Sequence, residues 1–246
     1  MIKSEIQLIK SLSDKRARTE CGLFVAEGEK LISELREATS LRVRKIYCLD
    51  GLFEGDGVEW IAPREMERIS QLKSANNSVA LVEIPRYELD VSSLSERLVL
   101  ILDEVQNPGN LGTIIRLADW FGIEDIICSE RSADCFNPKV VQATMGAILR
   151  VRVHYAALEP ILEQLQEMEV PIYGTLLEGD NIYSESLSTK GAIIMGNEGR
   201  GISPEVQRFI SHKLYIPPFP ADCSGSESLN VAIATAVVCS EFRRRM

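Results

Sequence analysis

The chain has 246 residues (27.4 kDa), with 45% apolar and 26% charged side chains, six cysteines and a net charge of −9. These fractions are typical of a globular protein and exclude disordered, collagen-like and coiled-coil chains. No apolar run approaches the ~20 residues of a membrane span, and the amino terminus lacks the apolar segment of a secretory signal. The cysteines form no CxxC pair and only two histidines are present. We therefore expect a cytoplasmic protein without a metal site or disulfides.

Basic residues are concentrated near the amino terminus. Residues 1–45 contain ten Lys or Arg against seven Asp or Glu, whereas residues 91–246 contain thirteen against twenty. This balance argues against a broad cationic surface, so contacts with nucleic acid are expected in the first segment and in local patches. The candidates in the first segment are Lys15, Arg16 and Arg18. The alternative is that this cluster is only a solvated, charged stretch after a helix.

The first ~90 residues predict a small α/β domain. Helical spacing of apolar residues occurs in Ile2–Leu12, Glu27–Ala38 and Met66–Leu72. Short apolar segments predict the strands Gly22–Ala26, Val43–Leu49 and Ser78–Ile84. The stretch Ser13–Glu20 is polar and basic and is assigned neither a helix nor a strand, and Pro85–Ser95 is predicted to be a linker.

Residues 97–246 predict a second α/β domain with a mostly parallel sheet and helices on both faces, because short apolar strands alternate with amphipathic segments. The predicted strands are Leu98–Leu102, Asp125–Cys128, Arg152–Tyr155, Ile172–Leu176, Ala192–Met195 and Lys213–Ile216. The predicted helices are Leu111–Phe121, Pro138–Ile148, Leu158–Met168, Pro204–Ile210 and Leu229–Arg243. Ligands of such sheets bind at the carboxyl ends of the strands, which is where three distinctive segments of this sequence fall.

The first segment is DEVQNPGNLGTIIR, residues 103–116, between a strand and a helix. Its glycines at a helix start leave backbone N–H groups free for a polar or anionic ligand. If the helix starts near Leu111, Asn110 lies at the start and Arg116 about one and a half turns along. The alternative is structural: Asn110 caps the helix, and Arg116 pairs with a surface acid.

The second segment is GNEGRG, residues 196–201, directly after an apolar strand. Three glycines let the backbone approach a ligand closely, and Glu198 and Arg200 project from the turn. The spacing matches neither GxGxxG nor GxxxxGK[ST], so dinucleotide and P-loop sites are excluded. The alternative is a plain tight turn.

The third segment is IPPFPADCSGSESLN, residues 216–230, which leads into an apolar helix. Prolines fix an extended approach, and Ser226, Ser228 and Asn230 cluster at the helix start. Capping alone would also account for these polar residues. The helix is predicted to be buried, either in the core or at a subunit contact.

Together, and in this order, the three segments resemble the motifs of the SpoU (TrmH-type) RNA ribose 2′-O-methyltransferases, which belong to the SPOUT superfamily. The stretch RARTECGLFVAEGEKLI also resembles the small RNA-binding domain that often precedes the catalytic domain. The motif-bearing resemblance covers about residues 97–246. One departure is the loop Pro217–Ser226, which is longer and richer in proline than in the family.

The resemblance implies a trefoil-knotted methyltransferase domain, S-adenosylmethionine as cofactor, rRNA or tRNA as substrate, and a homodimer whose second subunit completes the active site. It implies the catalytic residues Arg116, Asn110, Glu198, Ser228 and Asn230. The implied cofactor-binding residues are Thr175, Leu176, Gly196, Asn197, Gly201, Ile216 and Leu229, and Arg200 joins the candidate RNA contacts. Because the pKa of arginine exceeds ~12, Arg116 is expected to stabilise a ribose alkoxide rather than to abstract a proton.

Other function classes are weaker. A Rossmann-type enzyme would need GxGxxG, and a serine hydrolase would need GxSxG with a suitable histidine. The remaining alternative is a non-catalytic RNA-binding protein that retains the fold. Binding alone would not require all five of the implied catalytic residues.

Overall fold

The computed structural model describes residues 1–38, 40–220 and 228–244, and the chain divides into two compact units. Unit 1 comprises Met1–Arg86 and Asp134–Arg150, and unit 2 comprises Tyr87–Ala133 and Val151–Met246. Ser226 and most of the enlarged loop before Ser228 lie outside the described residues. In the described part of the chain, no helix is long and apolar enough to cross a membrane.

Unit 1 contains a four-stranded sheet in the order β1-β4-β2-β3, in which only β2 and β3 are parallel. The strands are β1 (Leu23–Glu27), β2 (Val43–Cys48), β3 (Val58–Trp60) and β4 (Ser78–Glu83). The helices are α1 (Lys3–Ser11), α2 (Lys15–Cys21), α3 (Glu29–Glu37), α4 (Pro63–Ile69) and, from the later segment, α6 (Pro138–Thr144).

Helix α2 begins in the polar, basic stretch Ser13–Glu20, to which the sequence analysis assigned no element. The Asp14 carboxylate accepts hydrogen bonds from the N–H groups of Arg16 and Ala17, which caps the helix, and Gly22 ends it with a φ of 64°. The helix has no apolar periodicity because Arg18 is its only buried residue. The capping aspartate is therefore the only feature of the sequence that indicates this helix.

Residues 134–150 lie between two segments of unit 2 in the sequence but pack within unit 1. Helix α6 contacts β1, and the rings of Phe136 and Phe24 lie 4.8 Å apart. The helix was predicted to continue to Ile148, but it ends at Thr144 because Met145 and Gly146 have φ values of 51° and 94°. A left-handed conformation cannot continue an α-helix.

Unit 2 is built on a six-stranded sheet in the order β10-β8-β9-β5-β6-β7, and all of its pairings are parallel. This confirms the predicted fold class. The strands are β5 (Leu98–Leu102), β6 (Asp125–Cys128), β7 (Arg152–Tyr155), β8 (Ile172–Asn181), β9 (Gly191–Met195) and β10 (His212–Tyr215). Strand β8 pairs with β10 in two registers, so residues 175–179 bulge between Gly174 and Asp180.

Alternate strand residues bury both faces of this sheet. Val99 and Ile101 of β5 pack in one apolar core with helices α7 (Leu158–Glu167) and α8 (Pro204–Gln207). Helices α5 (Pro108–Trp120) and α9 (Val231–Arg244) pack against each other, and the ring of Phe242 meets that of Tyr173 on β8 at 4.9 Å. Because the strands are parallel, their carboxyl ends share one edge, where the three segments follow β5, β9 and β10.

Candidate active site

The first segment forms the start of helix α5, one turn earlier than predicted. Asn107 is the capping residue: its side-chain oxygen accepts hydrogen bonds from the N–H groups of Gly109 (2.8 Å) and Asn110 (3.3 Å). Pro108 occupies the first helical position, where a missing N–H costs nothing. The prediction of Asn110 as the cap is therefore wrong, because the helix already begins at Pro108 and Asn110 lies in its first turn.

Asn110 instead joins the other two segments. Its Nδ2 donates to Glu198 Oε1 at 3.0 Å, and its Oδ1 accepts from Asn230 Nδ2 at 3.0 Å. One residue from each segment thus forms a continuous hydrogen-bonded chain, Glu198–Asn110–Asn230, which we name the amide–carboxylate cluster. The structure brings together three of the five residues predicted to be catalytic.

Glu198 is held as a carboxylate. Partial burial opposes its ionisation, but the backbone N–H of Asn107 (2.9 Å), the Asn110 amide and the backbone N–H of Gln106 (3.2 Å) lower its pKa below the ordinary value. Each of these donors is neutral, so the cluster keeps a full negative charge.

Asn230 has two functions. Its Oδ1 accepts from the N–H groups of Ala232 (3.0 Å) and Ile233 (3.3 Å) at the start of α9, while its Nδ2 reaches Asn110. The capping interpretation is thus correct for Asn230, and its catalytic role stays a prediction. Ser228 is exposed two residues earlier and forms no hydrogen bond with another described residue.

The glycine segment closes into a tight loop. Asn197 and Gly201 exchange two backbone hydrogen bonds of 2.9 Å, and a Cβ on Gly196 would lie 2.2 Å from the Gly201 carbonyl carbon. Gly201 has a φ of 69°. The Asn197 side chain binds the N–H groups of Gly199 and Arg200 and the Glu104 carbonyl, so it organises the loop rather than pointing free toward a cofactor.

Arg116 lies on an exposed face of α5 and is not part of the cluster. Six residues of α-helix place it about 120° around the helix axis from Asn110, so the two side chains do not share one face. No described residue forms a hydrogen bond or ion pair with Arg116, so the alternative of a pairing with a surface acid is not found among residues 1–38, 40–220 and 228–244. Its guanidinium is available to a ligand.

The remaining predicted cofactor residues lie at the ends of adjacent strands. Thr175 starts the bulge of β8, and its hydroxyl donates to the Ile194 carbonyl of β9 at 3.3 Å. Leu176 and Ile216 are half-buried, while Leu229 is 51% exposed. Together with Gly196, they place apolar surface and bare backbone at the edge formed by β10, β8 and β9.

The basic candidates differ in exposure. Lys15 and Arg16 are exposed on α2, and Arg16 pairs with Glu20 at 2.7 Å. Arg18 contradicts the expectation of an RNA contact: it is 2% exposed, and its guanidinium binds Asp134 Oδ2 (3.0 Å from Nε) and the Leu12 carbonyl (2.8 Å). A guanidinium with these partners holds unit 1 together.

Sequence reasoning missed three residues that connect the loops. Asn107 was detectable, because an asparagine before proline is a common helix start. Asp103 accepts the Ser203 N–H at 2.7 Å, and Glu104 accepts the Asn197 side-chain amide at 2.7 Å through its carbonyl. Nothing in the sequence pattern distinguishes these two acids from ordinary surface residues.

Comparisons with known proteins agree with this geometry. The model of the SpoU rRNA Methylase family matches residues 97–240, and that of the MRM3-like substrate binding domain matches residues 3–86. The chain belongs to the SpoU methylase family. The predicted family is therefore confirmed, over a larger part of the chain than the three motifs alone occupy.

Individual relatives of this SpoU family member match along its whole length. The 23S rRNA (guanosine(2553)-2′-O)-methyltransferase RlmP of Bacillus subtilis is 30% identical over 241 residues, which are 95% of this chain and 94% of the relative. A TrmH-family protein from Porphyromonas gingivalis has 36% identity and a TM-score of 0.90, with coverage of 100% and 99%. An AdoMet-bound rRNA methyltransferase from Sinorhizobium meliloti has 27% identity and a TM-score of 0.86, with coverage of 99% and 95%.

Proposed function

We propose that this SpoU family member transfers a methyl group from S-adenosylmethionine to a ribose 2′-hydroxyl of ribosomal RNA. The observation that carries the proposal is the amide–carboxylate cluster, in which one residue from each family motif meets the others within hydrogen-bond distance. The 23S rRNA 2′-O-methyltransferases among its relatives favour ribosomal over transfer RNA.

The strand ends fit the cofactor. Leu176 and Ile216 offer half-buried apolar contacts suited to an adenine ring, and a Cβ on Gly201 would meet no atom within 4 Å. The backbone of the glycine loop can therefore approach a ligand without a side chain between them. When bound, S-adenosylmethionine supplies an activated, electrophilic methyl group.

The chain's own residues must position and activate the ribose oxygen. A ribose hydroxyl is a weak nucleophile at neutral pH, and a nearby cation favours its alkoxide. Arg116 is an exposed cation without a protein partner among the described residues, so its guanidinium is free to stabilise that charge. Glu198 fixes the orientation of Asn110, and Asn230 fixes it from the other side.

The direct test is methyl transfer to RNA. Purified protein, tritiated S-adenosylmethionine and unmodified 23S rRNA transcript should give labelled RNA, and the labelled position should resist alkaline cleavage because its 2′-hydroxyl is blocked. Label found only on tRNA would mean that the substrate is transfer RNA rather than ribosomal RNA. Cofactor binding in calorimetry without transfer to either RNA would support the non-catalytic alternative.

The same proposal includes a homodimer built on α5 and α9, together with the trefoil knot that the family resemblance implies. The two helices contact each other, and both expose large apolar side chains: Trp120 on α5 is 82% exposed and Ile233 on α9 is 54% exposed. Exposed apolar residues on neighbouring helices favour a protein–protein contact. Ile233→Glu should convert a dimer into a monomer in light scattering, whereas Ile2→Glu, at another exposed isoleucine (65%), should not.

A composite site makes a sharper prediction. Arg116 lies away from the cluster of its own chain, so a second subunit is the natural source of the missing cation. Two inactive variants, Arg116→Ala and Asn230→Ala, should then complement each other when co-expressed. If Arg116 and Asn230 of different subunits form each site, mixed dimers regain one site of two, and activity reaches about a quarter of the wild-type value. No recovery would assign Arg116 to the site of its own chain.

The substrate RNA is proposed to contact Lys15, Arg16 and Arg200, all of which are exposed. Arg18 is left out because it is buried. The expected location is the cytoplasm, on the ground that the relatives modify ribosomal RNA.

A further inference from the structure

Glu104 connects three loops at the carboxyl edge of the six-stranded sheet. Its backbone N–H donates to Ser129 Oγ in the loop after β6 (2.8 Å), and its carbonyl accepts from Asn197 in the glycine loop (2.7 Å). Its φ of 57° lies in the left-handed region, which is unfavourable for a residue with a side chain. The backbone of Glu104 is thus held in an unusual conformation that fixes the direction of its side chain.

The side chain of Glu104 forms ion pairs with two arginines. Oε1 accepts from Arg131 Nη1 at 3.2 Å, and Oε2 accepts from Arg200 Nη2. The side chain of Glu104 is 17% exposed, whereas those of Arg131 and Arg200 are 78% and 67% exposed. One half-buried carboxylate therefore holds two solvent-facing guanidinium groups, with a net charge of +1 for the three residues.

Most of the hydrogen-bonding capacity of these arginines remains unused. Each guanidinium has five N–H donors, and one donor from each is bound to Glu104. No other acceptor for them is found among the described residues. Planar guanidinium groups bind phosphate oxygens bidentately, so two of them fixed on a common carboxylate are suited to a phosphodiester.

The two arginines lie beside the amide–carboxylate cluster. Arg200 is two residues after Glu198 in the glycine loop, and Glu104 is two residues before Gln106, whose N–H binds Glu198. The same two loops therefore carry the cluster and the arginine pair. In a chain with a net charge of −9, this local excess of positive charge favours an anionic ligand at this position.

We propose that Arg131 and Arg200, positioned by Glu104, form a clamp for the phosphodiester backbone of the substrate RNA next to the reacting ribose. The inference rests on the proposed function and adds to it a specific contact through Arg131 and a positioning residue, Glu104. An RNA strand fits better than a free nucleotide because the guanidinium groups face open solvent rather than an enclosed cavity.

The test measures RNA affinity at several salt concentrations. The probe is a fluorescent in vitro transcript of 23S rRNA, with Arg131→Gln and Arg200→Gln as variants. The matched control is Arg208→Gln, because Arg208 is 57% exposed and also pairs with a glutamate, Glu159. Loss of one phosphate contact should raise the Kd several-fold and reduce the slope of log K against log salt by about 1.

The control should bind RNA like the wild type, and all three variants should bind S-adenosylmethionine normally in calorimetry. RNA affinities and salt slopes equal to those of the wild type in both clamp variants would overturn the proposal. If both clamp variants bind RNA more weakly and with a smaller salt slope, but the wild-type protein transfers no methyl group, the proposed function fails and the clamp stands. If transfer occurs and the slopes do not change, the clamp fails and the proposed function stands.

Glu104→Gln separates positioning from simple charge. Removing a negative charge beside RNA should tighten binding if only the local charge matters. The clamp predicts the opposite: without the carboxylate, the two guanidinium groups lose their common anchor, and the Kd rises. Normal S-adenosylmethionine binding verifies that the loops are intact, and tighter RNA binding by this variant would overturn the role of Glu104.

Discussion

Asp125 and Glu198 are hydrogen-bonded carboxylates of unit 2 that lie at opposite edges of its parallel sheet, at the amino and the carboxyl ends of the strands respectively. Asp125 begins β6 and is 2% exposed; it binds Arg152 with both oxygens (2.8 Å each), His154 (2.9 Å) and Arg97 (3.0 Å). Glu198 follows β9, is exposed, and binds only backbone N–H groups and the Asn110 amide. Both carboxylates have a lowered pKa, but for different reasons.

Asp125 shows what a structural carboxylate requires. Burial would raise its pKa, and the guanidinium of Arg152, the His154 ring and the charge of Arg97 lower it well below the ordinary range. The neighbouring positive charges neutralise the Asp125 carboxylate, so this buried cluster presents no negative charge to a ligand. The charge of Glu198 is oriented by neutral donors but not compensated, which leaves it able to act on a bound molecule. Uncompensated charge, rather than a shifted pKa, therefore distinguishes the candidate site.

The largest expected effect comes from a substitution that breaks the buried cluster around Asp125. Asp125→Ala leaves Arg152 and Arg97 without their buried partner, so we expect the free energy of unfolding to fall by about 3 kcal/mol. Glu124→Gln is the matched control, because Glu124 pairs with the same two arginines but is 60% exposed, and should cost less than about 1 kcal/mol. Urea unfolding at neutral pH measures both, and similar losses in the two variants would refute a special role for burial.

The next effect concerns catalysis rather than stability. Arg116→Ala should lower kcat for methyl transfer by about 100-fold, which corresponds to about 2.7 kcal/mol of transition-state stabilisation. The free energy of unfolding should change by less than about 0.5 kcal/mol, because the side chain is exposed and has no partner among the described residues.

Arg116→Lys tests the chemistry of this cation. Lysine keeps the charge but loses the planar pair of donors, so activity should recover only in part. Full recovery with an unchanged pH–rate profile would rule out a bidentate guanidinium contact. An equal loss in both variants would show that the charge alone is insufficient.

The two edges also differ in how far the sequence predicts them. Strands β5, β6 and β7 have the predicted bounds because short strand segments alternate with longer amphipathic segments in this part of the chain, and β5 is apolar throughout. The segments that carry the amide–carboxylate cluster were found because glycine, proline and asparagine have strong local signatures, and the family resemblance implied the roles of their residues. The buried cluster was not anticipated, since Asp125, Arg152 and Arg97 meet only through the order of three strands.

The other interactions that the sequence analysis did not predict are hydrogen bonds and ion pairs between residues far apart in the chain. The structural role of Arg18 depends on Asp134, 116 residues later, and that of Glu104 depends on Arg131 and Arg200. No local pattern encodes such partners, because each residue alone resembles a surface charge. The single helix missed, α2, has no apolar face to reveal it.

A smaller effect is expected at the exposed carboxylate. Glu198→Gln keeps the size of the side chain but replaces one acceptor oxygen by a donor, which would face the N–H of Gln106 or Asn107. We expect a loss of about 1 kcal/mol in the free energy of unfolding, and a larger relative loss in methyl transfer. Glu205→Gln, at an exposed position on α8, is the control and should change neither. Loss of stability without loss of transfer would make Glu198 a purely structural residue.

The smallest effect is the pH dependence of stability. Because the pKa of Asp125 is lower in the folded protein, the unfolded chain binds more protons once the pH falls below ~4, and the stabilisation by Asp125 is lost progressively from there down to its folded-state pKa. Between pH 5 and pH 3, the wild type should therefore lose about 1 kcal/mol more than Asp125→Asn, whose side chain does not titrate. Glu198→Gln should reduce this acid-induced loss less, because solvent screens an exposed carboxylate. Urea unfolding at roughly pH 3, 4 and 5, which bracket the ordinary carboxyl pKa, measures the three slopes. Parallel curves for the wild type and Asp125→Asn would mean that the ion pairs do not lower the pKa of Asp125, and the contrast between the two edges would then rest on burial alone.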